Sequence, residues 1–212
     1  MYFKDRIQAA QMLAQRLKNY AGGNPLVLAI PRGAVPMGKV IADALRGELD
    51  VVLVRKLGAP GNPEYAIGAV DETGWAYLTP YGAATGAGTD YIERQKAAEL
   101  EKIRMRRAQY SPRRPPRDPK GRTVIVVDDG LATGSTMIAA LHALSAREPK
   151  WLVCAVPVAP PDTIETVAAY CDEIVCLSAP IDFSAVGQFY ANFDQVEDEE
   201  VIRLLAEDPL AA

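Results

Sequence analysis

One segment combines paired carboxylates, glycines and hydroxyl groups within thirteen residues. The apolar run Val124–Val127 is typical of a buried strand, and Asp128 and Asp129 follow it directly. The acids therefore stand at a strand's carboxyl end, where open α/β sheets bind ligands. A turn rich in glycine and hydroxyl groups then leads toward a predicted helix; its residues are Gly130, Leu131, Ala132, Thr133, Gly134, Ser135 and Thr136.

This turn has the features of a phosphate site. Its two glycines let the backbone bend and approach a ligand closely. N–H groups between Ala132 and Thr136, at the start of a helix, would converge on an anion, and the three hydroxyl side chains add neutral donors. The two carboxylates would repel a phosphate and suit sugar hydroxyls or a bridging Mg²⁺ instead. Acids that merely cap a helix would not require both glycines and three hydroxyls.

Other nucleotide-binding and catalytic motifs are absent from the sequence. A P-loop requires lysine before its final Ser or Thr, and here Ser135 precedes Thr136. No Gly-x-Gly-x-x-Gly follows a predicted strand, no Gly-x-Ser-x-Gly turn occurs, and the single histidine, His142, lies within a predicted helix. These absences argue against a Ser–His hydrolase or a zinc hydrolase.

Strands and helices alternate around this segment, which predicts an α/β fold with a central parallel sheet flanked by helices. A first strand–helix–strand unit predicts two parallel strands joined by a right-handed crossover. The predicted strands are Leu26–Ile30, Val51–Val54, Thr123–Val127, Trp151–Val156 and Glu173–Leu177. The predicted helices between them are Val35–Leu45, Thr136–Ala146 and Asp162–Tyr170.

Further elements are predicted outside this alternation. Periodicity predicts helices over 3–19, 90–109 and around Val201–Leu205. Loops are predicted at 58–64 and 110–121, and a hairpin is predicted from strands Ala66–Val70 and Trp75–Leu78.

Bulk properties predict one soluble cytoplasmic domain spanning residues 1–212. Hydrophobic residues make up 49% of the 212 residues, which is enough for a core, and the net charge of −4 argues against a dedicated nucleic-acid binder. No apolar run is long enough to cross a membrane, and the N-terminus lacks the apolar core of a signal peptide. The three cysteines form no Cys-x-x-Cys pair and fit buried positions in a reducing compartment.

The apolar strand followed by Asp128-Asp129-Gly130-x-Ala132-Thr133-Gly134-x-Thr136 resembles the phosphoribosyl pyrophosphate signature of type I phosphoribosyltransferases. The α/β order fits that family over roughly residues 25–180, and the whole chain looks closest to a poorly characterised bacterial branch of it. The resemblance implies a Rossmann-like core over about 20–180, with a small hood built from about 180–195 and the N-terminal segment. It also implies Mg²⁺, held by the two acids through ribose hydroxyls or water.

The resemblance assigns roles to individual positions. It places the 2- and 3-hydroxyls of ribose on Asp128 and Asp129, and the 5-phosphate on the turn Ala132–Thr136. It places pyrophosphate on the loop Pro31-Arg32-Gly33-Ala34. Arg55 and Lys56, after the next strand, would face the acids together with Arg32 and stabilise the leaving group. Glu64, and with it Tyr65, is a candidate contact on the mobile loop Gly58–Tyr65.

The acceptor site is the least specified part of the resemblance. The segment Pro180–Tyr190 resembles the hood of the purine enzymes, with Val186 at its centre, and Phe183, Phe189 or Tyr190 could stack on a flat ring. Packing into the core explains these aromatics equally well. Pro157 stands where the hypoxanthine-guanine enzymes have a purine-recognising lysine, and Ala191 or Asn192 stands near their metal-binding aspartate. The acceptor therefore stays an unidentified nitrogen nucleophile.

The sequence predicts an enzyme of nucleotide salvage, a pentosyltransferase that moves a 5-phosphoribosyl group from phosphoribosyl pyrophosphate and releases pyrophosphate. The alternative is a non-catalytic regulatory protein that senses phosphoribosyl pyrophosphate or a nucleotide. The family is commonly dimeric, which implies a homodimer. The basic stretch 102–122 contains nine Lys or Arg residues and suits a solvated face, although RNA contact or a subunit interface is also compatible.

Overall fold

The computed structural model describes residues 1–79, 87–110 and 116–207, and the side chains of Pro63 and Glu64 are outside that description. The strands are β1 (Leu26–Ala29), β2 (Glu48–Val51), β3 (Val54–Ala59), β4 (Asn62–Asp71), β5 (Ala76–Leu78), β6 (Thr123–Val127), β7 (Trp151–Val158) and β8 (Glu173–Ser178). The helices are α1 (Arg6–Arg16), α2 (Val35–Leu45), α3 (Thr89–Tyr110), α4 (Ser135–Ser145), α5 (Pro161–Ala168) and α6 (Asp198–Ala206). Two 3₁₀ turns cover Lys18–Tyr20 and Val186–Phe189.

A central sheet of five parallel strands confirms the predicted fold class. Its order is β2-β1-β6-β7-β8, with every neighbouring pair parallel. In β1, Leu26 and Leu28 pack into one core cluster, whereas Val27 and Ala29 pack into the other. Helices therefore cover both faces, which explains why the strands read as continuous apolar runs. All five strands end at one edge, where β1 and β6 lie side by side with Ala29 paired to Val127.

The predicted strand Val51–Val54 is wrong in its extent. Its first residue ends β2 in the central sheet, and its last begins β3 in a separate antiparallel sheet of order β3-β4-β5. The residues between them are apolar because they are buried at the passage between the two sheets, so hydropathy alone cannot locate the break. Arg55 and Lys56 consequently lie inside β3 rather than after a central strand.

The predicted loop 58–64 is also wrong, because most of it belongs to a β-hairpin. Ala59 pairs with Asn62, and Gly61 forms the tip with φ of 76°. Strand pairing satisfies the backbone there, although local turn residues favour a loop. The small antiparallel sheet, which includes the predicted hairpin strands, forms the hood beside the central sheet. Residues 111–115 of the second predicted loop are outside the described ranges.

The two ends of the described chain pack close to the carboxyl edge of the central sheet. Asp5 caps α1 by accepting a hydrogen bond of 2.8 Å from the Gln8 N–H. Phe3 forms a parallel bridge with Tyr190, so the start of the chain pairs with the segment that precedes α6. Helix α6 packs against α2 and α3.

None of the helices in the described ranges has the length and apolarity needed to cross a membrane.

Candidate active site

The loops after β1 and β6 meet at the carboxyl edge of the central sheet. Ile30 donates a backbone hydrogen bond of 3.0 Å to Val127, which continues the pairing of the two strands up to the loops. The Pro31–Arg32 peptide bond is cis. A Cβ on Gly33 would lie only 2.3 Å from Oδ2 of Asp129. Only glycine therefore allows the first loop to approach the second acid this closely.

A cavity of about 300 Å³ opens at this meeting point. It is lined by Ile30, Pro31, Gly33, Lys56, Val186 and residues 128–137. The paired acids and the whole predicted phosphate turn thus share one cavity with part of the predicted pyrophosphate loop. This arrangement brings together groups that are more than 90 residues apart in sequence.

The predicted phosphate turn is held by contacts from neighbouring elements. Gly134 precedes α4 with φ of 71°, and a Cβ there would lie 2.9 Å from the Val167 side chain. Thr163 donates a hydrogen bond of 2.7 Å to the Ala132 carbonyl. Thr133 and Ser135 share a hydrogen bond of 3.1 Å between their hydroxyls. The turn therefore places the N-terminus of α4, where helix N–H groups favour an anion, at the cavity.

The paired acids lie half-buried beside each other. Burial, followed by the charge of Asp129, raises the pKa of Asp128 well above its ordinary range. Burial also raises the pKa of Asp129, although the guanidinium of Arg6 opposes that rise. Asp128 accepts a hydrogen bond of 2.8 Å from the Asp129 N–H. Two neighbouring half-buried carboxylates favour a ligand that brings hydroxyl donors or positive charge.

The donor set is compatible with Mg²⁺ bound together with substrate. The described residues contain no group of three or more His, Cys, Asp or Glu side chains that could hold a metal by themselves. Mg²⁺ is commonly held by one or two carboxylates plus substrate phosphates and water. Asp128 and Asp129 supply that number of carboxylates, and the raised pKa of Asp128 marks a site where a cation would relieve the burial of negative charge.

The structure brings one of the three predicted cations to the cavity. Lys56 lines it, and its charge opposes the rise in the pKa of Asp128. Arg55 instead donates a hydrogen bond of 2.8 Å to Glu99. Arg32 lies 3.3 Å from Glu197 on the segment leading into α6. The predicted arrangement of all three cations opposite the acids is therefore not seen in this structure.

Two glutamates bind the arginines that the cavity lacks: Glu99 contacts Arg55, and Glu197 contacts Arg32. Burial disfavours the charge of Glu99, but hydrogen bonds from Lys102 and Arg55 outweigh that effect and lower its pKa. Arg32 also lies 3.8 Å from Asp198. The Arg32 side chain is thus directed to α6, whereas Gly33 and Ala34, the residue that precedes α2, remain at the edge of the sheet.

The predicted acceptor residues occupy different positions. Val186 packs onto Gly130, where a Cβ would lie 2.6 Å from Val186 Cγ1. Phe189 and Tyr190 are buried, so neither presents an open ring, and Tyr190 donates a hydrogen bond of 2.7 Å to the Asp129 carbonyl. Phe183 is half-buried against Phe189, at 5.3 Å between ring centroids.

A second cavity of about 720 Å³ adjoins the first. Lys56, Ala132 and Thr133 line both cavities, and Phe183, Tyr65 and Tyr77 line the larger one. Phe183 is therefore the predicted aromatic that remains available to a ring. Glu64 lies in β4, and its side chain is outside the described part of the structure.

Arg6 lies at the site although the sequence predicted no site role for it. Its Nε donates to Oδ2 of Asp129 at 2.9 Å, and its Nη2 lies at the same distance from that oxygen. The two residues are 123 positions apart, and no motif connects them. The only local signal is the position of Arg6 in the first turn of the predicted N-terminal helix.

Comparison with known proteins identifies the family. Residues 4–194 match the phosphoribosyl transferase domain. The crystal structure of TT1426 from Thermus thermophilus is 46% identical and superposes with a TM-score of 0.82, covering 98% of this chain and 99% of that one. Proteins of Mycobacterium tuberculosis strains CDC 1551 and H37Rv, provisionally named phosphoribosyl transferases, are 42% identical over 208 residues. That match covers 96% of this chain and 46% of each relative, so the chain spans about half their length. The chain belongs to the phosphoribosyl transferase family of transferase enzymes.

Proposed function

We propose that this chain transfers a 5-phosphoribosyl group from phosphoribosyl pyrophosphate to a nitrogen of a nucleobase-like acceptor, with Mg²⁺, and releases pyrophosphate. The observation that carries the proposal is the shared cavity in which the loop containing Gly33 touches Asp129 beside the phosphate turn. One ligand that has a phosphate, a sugar diol and a pyrophosphate would match the three parts of this cavity. The acceptor is not specified by these groups.

Each part of the cavity would hold one part of the donor. N–H groups at the start of α4 would bind the 5-phosphate. Asp128 and Asp129 would accept hydrogen bonds from the ribose hydroxyls and hold Mg²⁺ through them or through water. Backbone groups of residues 32–34 would bind pyrophosphate, and Lys56 would balance its charge. Bound Mg²⁺ would neutralise further charge on the departing pyrophosphate.

The reaction would break the bond between ribose C1 and the pyrophosphate oxygen, and the acceptor nitrogen would form the new bond at C1. Positive charge would develop on the sugar as pyrophosphate leaves. The residues named above would act by orientation, electrostatic stabilisation and exclusion of water rather than by covalent attachment. Glu64 and Tyr65 on the β3–β4 hairpin are the proposed contacts that cover the reacting centre.

The proposal also treats residues 1–212 as one domain. The sequence assigned the hood to about 180–195 and the N-terminal segment, and these are proposed to lie beside the small antiparallel sheet that forms it. Two backbone hydrogen bonds of 2.8 Å, from Phe3 to Phe189 and from Ala191 to Phe3, support this grouping. A homodimer and a role in nucleotide salvage are extensions of the proposal that follow from the family. The larger cavity, lined by Phe183, is the proposed place for the acceptor ring.

The first test is calorimetric titration of the protein with phosphoribosyl pyrophosphate and Mg²⁺, followed by a screen of bases and amines for pyrophosphate release. Saturable binding with turnover of any acceptor would support the enzyme. Binding without turnover of any acceptor would favour the sensing alternative. Absence of binding at millimolar phosphoribosyl pyrophosphate would contradict both the enzyme and the sensing alternative.

Substitution of Asp129 by asparagine should weaken binding of phosphoribosyl pyrophosphate by at least about tenfold, because a charged acceptor for the sugar is lost, a change worth roughly 1.5–3 kcal/mol. Glu64→Gln should change this affinity less, because Glu64 is proposed to cover the reacting centre rather than to hold the sugar. Dissociation constants of both variants, measured with Mg²⁺, give the comparison. Equal and negligible effects would mean that the sugar site is wrongly assigned.

Lys56→Gln is expected to weaken binding of phosphoribosyl pyrophosphate about tenfold, since Lys56 is the cation of β3 that lines the cavity. Arg55→Gln is the matched control and should change the dissociation constant by less than about twofold, because Arg55 is bonded to Glu99. Thermal melting should accompany both titrations. A larger loss for Arg55→Gln in a folded protein would contradict the assignment of Lys56.

A further inference from the structure

Arg6 is anchored at the edge of the proposed donor site by contacts from two sides. Its Nε and Nη2 contact Oδ2 of Asp129, and its Nη1 donates a hydrogen bond of 2.6 Å to the Asp194 carbonyl. The Phe193 ring covers the guanidinium at 3.8 Å from the centroid. Only 12% of the Arg6 side chain is exposed. A side chain anchored in this way has a defined position and loses little further freedom when a ligand binds.

The guanidinium also lies next to the loop proposed to bind pyrophosphate. Its Nη2 would be 3.2 Å from a Cβ on Gly33. The contacts with Asp129 and Asp194 involve three of the five N–H groups that an arginine carries. Arg6 therefore has donor capacity beyond those contacts, and it is close to the backbone that an oxyanion at Gly33 would approach.

A pyrophosphate bound at this site would need cations near it, and Arg6 is one of the few in the described part of the chain that lie there. Pyrophosphate carries several negative charges, and two predicted cations for it, Arg32 and Arg55, are paired with acids elsewhere. Lys56 lines the cavity from the antiparallel sheet. Arg6 approaches from the N-terminal helix, so the two cations come from different elements of the fold.

We infer that Arg6 is a pyrophosphate-binding residue of the donor site, in addition to its contact with Asp129. The inference rests on the proposed function, because it concerns the same donor. In the bound state, an N–H group of Arg6 donates to an oxygen of the pyrophosphate placed at the Gly33 loop. A role limited to holding Asp129 is the alternative, and the two roles differ in what happens to a ligand without ribose.

The test titrates phosphoribosyl pyrophosphate with Mg²⁺, and inorganic pyrophosphate without Mg²⁺, into the full chain by calorimetry. Arg6→Gln should weaken binding of both ligands by about tenfold or more. Asp129→Asn should weaken binding of phosphoribosyl pyrophosphate, whose sugar and Mg²⁺ it is proposed to hold, yet leave the affinity for metal-free pyrophosphate within about threefold, because Arg6 remains present. Arg16→Gln, at the other end of α1, is the matched control and should change neither affinity by more than about twofold.

Two results would overturn the inference. If Arg6→Gln leaves the affinity for inorganic pyrophosphate unchanged, Arg6 acts only through Asp129. If Asp129→Asn loses affinity for metal-free pyrophosphate as strongly as Arg6→Gln does, the pair is a structural unit and not a ligand contact. Should Arg6→Gln prove unfolded by thermal melting, Arg6→Lys takes its place and is expected to lose about fivefold in pyrophosphate affinity, because a lysine keeps the charge but not the planar fork.

The same titrations separate this inference from the proposed function. A wild-type protein that binds neither phosphoribosyl pyrophosphate nor inorganic pyrophosphate would refute the proposed function, and the inference with it. A wild-type protein that binds both, with Arg6→Gln binding both equally well, would refute the inference alone.

Discussion

Replacing Gly33 with alanine is expected to weaken binding of phosphoribosyl pyrophosphate by at least about 100-fold, or roughly 2.8 kcal/mol. The new methyl group would lie 2.3 Å from Oδ2 of Asp129, so the side chain or the loop must move. Asp129 cannot turn aside freely, because Arg6 contacts the same oxygen. The substitution would separate the two loops that together form the proposed sugar and pyrophosphate sites. Calorimetric titration with Mg²⁺ measures the loss.

Gly88→Ala is the matched control for this prediction. Gly88 lies just before α3 and needs no positive φ, and among the described residues none lies within 4 Å of an added Cβ. The affinity of this variant should stay within about twofold of the wild-type value. Gly33→Ala should also melt at a lower temperature, because overpacking typically costs about 1–3 kcal/mol. A folded Gly33→Ala protein with wild-type affinity would show that the close approach of the loops has no role in binding.

The position of the proposed phosphate turn, between a strand and a helix, could be predicted from sequence because its information is local. Four apolar residues, two acids and a turn with fixed glycine positions occupy one continuous stretch, and the structure places that stretch between β6 and α4. The φ of 71° at Gly134 and the contact between Gly130 and Val186 show why glycine occupies both positions. The parallel sheet followed from the alternation of strands and helices for the same reason.

The side chains around the turn could not be predicted, because their partners are distant in sequence. Arg32 is directed away by Glu197, which is 165 residues later, and Arg6 reaches Asp129 across 123 residues. A basic residue after an apolar run looks the same in sequence whether it faces a ligand or an acid. The boundary between β2 and β3 was hidden for a related reason, since burial at the passage between two sheets produces the same apolar pattern as a strand.

Asp128→Asn is expected to weaken binding of phosphoribosyl pyrophosphate by about 100-fold while raising the melting temperature of the ligand-free protein. Binding should fall because a neutral amide is a weaker acceptor for the sugar and a weaker ligand for Mg²⁺, a loss of roughly 3 kcal/mol. Stability should rise because burial, and then the charge of Asp129, disfavour the ionised form of Asp128 and raise its pKa. Asparagine can keep the bond from the Asp129 N–H at nearly the same geometry.

The pH dependence follows from the direction of that pKa shift. A carboxyl whose pKa is raised on folding binds its proton more tightly in the folded state, so the wild-type protein loses stability as the pH rises above the ordinary aspartate value of 3.8. The advantage of Asp128→Asn should therefore be absent below that pH, grow as the pH rises through the raised pKa, and then level off. Melting curves at several pH values, without ligand or Mg²⁺, measure it. Asp43→Asn, on the exposed side of α2, is the control and should show no comparable gain. A melting temperature for Asp128→Asn that stays below the wild-type value across this range would mean that Asp128 stabilises the fold, and that its burial is not a cost retained for ligand binding.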